Sequence, residues 1–188
     1  MNHPADCQDH FARLHQRVLR IEHGIFNAVT VVLLATLAMG LFAPFLAVEK
    51  RRSKSSSTLF SSVFGLDESG VGALERHPVL AGIPLGIYLL VVLFAVGACC
   101  AVLLRLSDRR LAALRIAIIA LLVGSAGAWL FFMMAASDYP ELRMFSPATI
   151  WLTVGAVIGL FAMRLGNYIL NNDVGMAVSL KKFDASRS

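Results

Sequence analysis

The chain has 188 residues, of which 57% are hydrophobic and 15% charged, with a mean hydropathy of +0.71. Water-soluble domains carry roughly 25% charged residues and give each element a polar face, which excludes a water-soluble core for a chain whose apolar residues fall in four long blocks. The formal charge of +5 does not point to nucleic acid, because the basic residues flank the apolar blocks as they flank membrane spans.

Residues 1–24 are polar and read as a cytoplasmic amphipathic segment. Phe11, Leu14, Val18, Ile21 and Ile25 recur at spacings of 3, 4, 3 and 4, with Arg13, Arg17, Arg20 and Glu22 off that line. This is one narrow apolar stripe on a helix. It can lie in the membrane interface, pack on a partner helix, or extend the first spanning helix and pack inside its own bundle. The segment is too polar, and the apolar run after it too long, for a cleavable signal peptide.

A four-helix transmembrane domain follows over residues 25–170. About 20 apolar residues at 1.5 Å rise cross a hydrocarbon layer of ~30 Å. The predicted spans are 25–48, 80–104, 112–136 and 147–170. The second and third form a hairpin around the turn Arg105-Leu106-Ser107-Asp108-Arg109-Arg110. Pro44 can kink or terminate span one. The outer loop 49–79 opens with Glu49-Lys50-Arg51-Arg52-Ser53-Lys54 and is serine-rich and flexible from Ser53 to Ser62. Leu59, Phe60, Val63, Phe64 and Leu66 would share one side of a short helix on the membrane surface. Ser107 is the predicted N-cap of span three; Ser146 followed by Pro147 opens span four in the same way. Arg115 and Arg164 lie near span ends, where they can snorkel to the interface. Asn171-Asn172-Asp173 is a stop signal, and residues 171–188 are a polar cytoplasmic tail.

Four spans put both termini on one side. That side holds eleven basic residues: Arg13, Arg17, Arg20, Arg105, Arg109, Arg110, Arg115, Arg164, Lys181, Lys182 and Arg187. The opposite side holds six: Lys50, Arg51, Arg52, Lys54, Arg76 and Arg143. The excess favours cytoplasmic termini, although the cluster right after span one pulls the other way. The many arginines relative to lysines, with abundant alanine, valine and leucine, suggest a bacterial plasma (inner) membrane.

Small residues recur four apart: Gly155 and Gly159, with Trp151, Ala162 and Gly166 on a similar face; Ala120, Gly124 and Ala128; Gly97 and Ala101. Such rows let helix backbones approach closely in lipid, either inside the bundle or, most of all along span four, against another subunit. No Asp, Glu or His lies in the apolar interior of a span, unlike in most ion-coupled transporters. His3, His10, His15, His23 and His77 cannot bracket a haem within the bundle. His3, Cys7 and His10 fall at helical spacing, but at a chain terminus and without a fourth ligand. Cys99-Cys100 reads as buried, inert cysteine. The outer acids Asp67, Glu68, Glu75, Asp138 and Glu141, with His77, can bind a divalent cation or act as acid and base; solvated loop charge is the simpler account. The first outer loop has neither cysteine nor tryptophan, which sets it apart from claudin-like tetraspan proteins.

The expected fold is an all-α integral membrane protein, a four-transmembrane-helix bundle with an amphipathic N-terminal helix. The expected function is that of a non-catalytic accessory subunit or assembly factor in a larger membrane complex, not an enzyme. No catalytic, cofactor-binding or metal-ligating residue is assigned. The expected partners are membrane lipids and other integral membrane subunits, not nucleic acid. The alternative is a small oligomeric transporter or channel for an uncharged or lipidic substrate; behind it stands a membrane enzyme built on the outer acids.

Overall fold

Four uninterrupted helices carry most of the chain. The computed structural model describes residues 4–50, 53–59, 78–138 and 143–185. The helices are α1 (Pro4–Phe42), α2 (Pro78–Leu104), α3 (Asp108–Asp138) and α4 (Pro147–Ala185). Each contains a segment long and apolar enough to cross a membrane: Gln16–Phe42, Gly86–Leu104, Asp108–Leu130 and Pro147–Asn172. The chain is therefore a multi-pass membrane protein with a helical bundle fold.

The helices pack in a ring, α1 against α2 and α4, and α3 against the same two. Phe26, Leu33 and Leu37 of α1, Val92 and Val102 of α2, Leu114, Ile118 and Leu121 of α3, and Leu152 and Ile169 of α4 fill its interior. Lipid tails are as apolar as these side chains, so what holds the helices together in the membrane is close packing and interhelical hydrogen bonding rather than escape from water.

The predicted helix starts are borne out. Leu111 N–H donates to Ser107 O at 2.9 Å as α3 begins. Ser146 Oγ accepts the Thr149 N–H at 3.4 Å and lies 2.8 Å from Thr149 Oγ1, giving α4 its N-cap.

Three expectations about boundaries need correction. Span one stops at Phe42 rather than Val48, and Pro44 begins a strand, β1 (Pro44–Lys50). Proline disfavours a helical conformation in the residue before it, so Pro44 ends the helix outright. The serine-rich stretch is not a flexible loop where it is described: Ser53–Thr58 is a second strand, β2, antiparallel to β1, with Lys50 opposite Ser53. A third strand, β3 (Arg143–Phe145), joins β1 on its other side, so the sheet order is β2-β1-β3. Finally, Asn171-Asn172-Asp173 ends the apolar run but not the helix, since α4 continues to Ala185. The predicted surface helix lies outside the described residues except for Leu59, which is fully buried.

The sheet is rooted in the bundle. The β1–β2 register slips between Pro44 and Leu46, which leaves Phe45 as an extra residue. Such bulges re-aim a side chain, and here Phe45 is buried with its ring centroid 6.3 Å from that of Tyr88 on α2.

Candidate functional site

The rows of small residues are where the sequence placed its sharpest structural expectation, and those of α4 face inward. A methyl group added at Gly155 would stand 3.2 Å from Leu37 Cδ2 and from Thr36 Oγ1, both on α1. At Gly159 it would meet Ile118 of α3, with Cγ1 at 2.8 Å. At Gly166 it would stand 2.9 Å from Leu111 Cδ1 and 3.0 Å from Phe26 Cε2. Ala162 is fully buried on the same side, whereas Trp151 is exposed and lies off it. The close-packing face of span four is thus occupied by α1 and α3 of its own chain. On α3, Gly124 receives the Tyr88 ring, 2.7 Å from the position of an added methyl. Gly97 is different: nothing lies within 4 Å of such a methyl.

The buried hydroxyl groups described inside the spans are hydrogen-bonded locally or between helices. Tyr88 Oη lies 3.0 Å from Ser125 Oγ, joining α2 to α3. Thr30 Oγ1 donates to Phe26 O and Thr36 Oγ1 to Leu33 O, each at 2.8 Å. At the opposite end from the sheet, Arg110 Nη1 donates to Ala101 O at 2.9 Å and to Arg105 O at 3.4 Å, covering carbonyls at the end of α2. Arg115 Nη2 donates to Asn167 Oδ1 at 3.0 Å, linking α3 to α4. Arg164 is exposed. The Tyr88–Ser125 and Arg115–Asn167 pairs were missed in the sequence. Their signal was there: hydrogen-bonding side chains at the flanks of, or within, apolar runs seek each other across helices.

Among the described residues no group of three or more His, Cys, Asp or Glu is placed to hold a metal. Cys99 is buried and Cys100 exposed, and both are free. Asp67, Glu68, Glu75, His77, Glu141 and His3 lie outside the described residues, so of the outer acidic cluster only Asp138, the last residue of α3, is described. Cys7 and His10 fall within α1.

No family model, curated protein or solved structure matches this chain. A further candidate surface is the outward face of α1. It is a helix of 39 residues, about 58 Å long at 1.5 Å per residue. Counting about 20 residues back from Phe42 brings the hydrocarbon boundary near His23. Beyond that point Val18 is 49% exposed and Ile21 62% exposed. The side of α1 turned to the bundle there carries Leu19, Glu22 and His23, all partly buried. His23 Nδ1 lies 2.9 Å from Leu19 O. The amphipathic stripe therefore does not pack inside its own bundle where its side chains are described. Nor is there a break in α1 to let the segment turn and lie flat in the membrane plane.

Proposed function

We propose that this chain is a non-catalytic accessory or assembly subunit of a larger membrane protein complex, docked through the outward face of α1. The observation that supports it is the exposure of Val18 and Ile21 at the N-terminal end of the Gln16–Phe42 segment, past the about 20 residues that suffice to cross the hydrocarbon. Each large apolar side chain gains roughly 1.5–3 kcal/mol on full burial from water, so a row of them on a projecting helix favours a protein neighbour. The bundle interior agrees with this role, being filled by aliphatic and aromatic side chains. The neighbour is another integral membrane chain, because the exposed row runs on into the membrane through Ile25, Val32 and Met39.

Eleven basic residues on the terminal side against six on the other support cytoplasmic termini, in a bacterial plasma membrane. The docking part of α1 then stands in the cytoplasmic headgroup region and the sheet lies on the outer side. Purification in a gentle detergent tests the reading. A stoichiometric assembly containing a further protein chain, held through α1, is the expected result; a monomer with no companion at any detergent strength contradicts it.

A further inference from the structure

The apolar row on α1 is longer than its first five members. Starting at Phe11 it continues as Leu14, Val18, Ile21, Ile25, Ala28, Val32, Ala35 and Met39, with spacings of 3 and 4 alternating throughout. All seven members from Val18 to Met39 are exposed. Lipid requires only that an outward face be apolar; it sets no 3.5-residue period and asks for none above the headgroups. A strict alternation of 3 and 4 is the register of a coiled-coil seam, with a positions at 11, 18, 25, 32 and 39 and d positions at 14, 21, 28 and 35.

We infer that the occupant of this seam is a second copy of the same chain, its α1 running parallel to the first. This rests on the docking role proposed for α1 and names its partner: the subunit enters its complex as a pair joined along α1. Two copies inserted in the same orientation are related by a two-fold axis along the membrane normal, and that axis makes their α1 helices parallel. In a parallel pair, position g of one helix meets position e of the next heptad on the other. Here g is Arg17 and the facing e is Glu22, five residues on. The two charges are opposite, and the symmetry forms the pair twice. Within one chain Glu22 Oε2 is buried and has no hydrogen-bond partner among the described residues. Position e borders both the seam and the bundle, so a change of rotamer brings the carboxylate to the partner's arginine. Three of the a positions are the β-branched Val18, Ile25 and Val32, the type that favours two strands. At membrane level the d positions are Ala28 and Ala35, small enough for close approach in lipid.

Disulfide trapping in native membranes tests this with the full chain. The parent carries Cys7→Ser and Cys100→Ala, keeping buried Cys99. Single cysteines are then placed at Val18, Ile21 or Ile25 on the seam, and at Arg20 or His23 off it. Self-cross-linked dimer is expected at 18, 21 and 25, and only the parent's background at 20 and 23. Added to the Ile21→Cys chain, Arg17→Glu alone or Glu22→Arg alone should reduce the dimer band, and the two together should restore it. Background levels at all five positions overturn self-pairing, as does equal cross-linking on both faces. If the seam cysteines instead trap a different membrane protein, self-pairing fails while the docking role of α1 stands. If they trap no protein at all, both fail.

Discussion

Gly159 of α4 and Ile118 of α3 interlock: the isoleucine side chain occupies the space a β-carbon would need, with its Cγ1 2.8 Å from that position. The glycine spacing that reads as a docking motif is thereby used up inside one chain. Replacing Gly159 with Leu should cost about 1–3 kcal/mol through overpacking. The loss should appear as a lower thermal midpoint and lower folded yield of the purified chain, whatever partners are present. Trimming Ile118 to Ala in the same chain should recover part of it.

Gly97 supplies the contrast. An added methyl there meets nothing within 4 Å, so Gly97→Ala should leave stability within about 0.5 kcal/mol of the parent or raise it slightly, since glycine is a poor helix former. A destabilisation as large as that of Gly159→Leu would mean that the lipid-facing side of α2 is covered.

Tyr88 ties three elements together through its ring on Gly124, its hydroxyl at Ser125 and its contact with Phe45 at the root of the sheet. Tyr88→Phe removes only the hydroxyl and should cost about 0.6 kcal/mol, the usual worth of an interhelical hydrogen bond in a membrane. Gly124→Val should cost several times more, because it displaces the ring from α3 and disturbs the packing beneath Phe45. Thermal unfolding of the two variants side by side checks the order; equal effects would show that the ring contact carries little.

The bundle was legible because four long apolar runs, charged only at Arg115 and Arg164 toward their ends, admit no other solution in water or lipid. The end of span one was not, because Pro44 to Val48 continue its hydropathy without a gap; only the proline marks the change, and the strand it opens is fixed by pairing with β2 and β3. β2 was hidden for a related reason. Serine has little intrinsic strand preference, so its conformation comes from β1 alongside rather than from its own composition. The continuation of α4 past Asn171 shows the same separation of signals, since polar residues end a membrane span without ending a helix. The small residues were visible, but which helix each would meet depends on the ring order, which no spacing reveals. The apolar stripe on α1 was visible too, and its direction became clear only once Phe26 and Leu33 fixed which side of the helix faces inward.

Topology gives a prediction independent of packing. Reporter fusions after Ser188 and within the Arg105–Arg110 turn should behave as cytoplasmic, and a fusion at Ser57 in β2 as external, following the eleven-to-six distribution of basic residues. A cytoplasmic signal at Ser57 would show that the cluster after span one dominates insertion.

Docking of protein through the outward row of α1 is tested most directly by one comparison. The intact chain and a Leu14→Glu, Val18→Glu double variant are purified from native membranes in the same gentle detergent and sized by light scattering. The variant should keep the parent's helicity and thermal midpoint, because Val18 is 49% exposed and takes little part in the bundle. It should nevertheless lose the assembled mass that the intact chain retains. Recovery of the same assembly, with every companion at parental stoichiometry, would contradict the account and leave the four spans as the interacting surface.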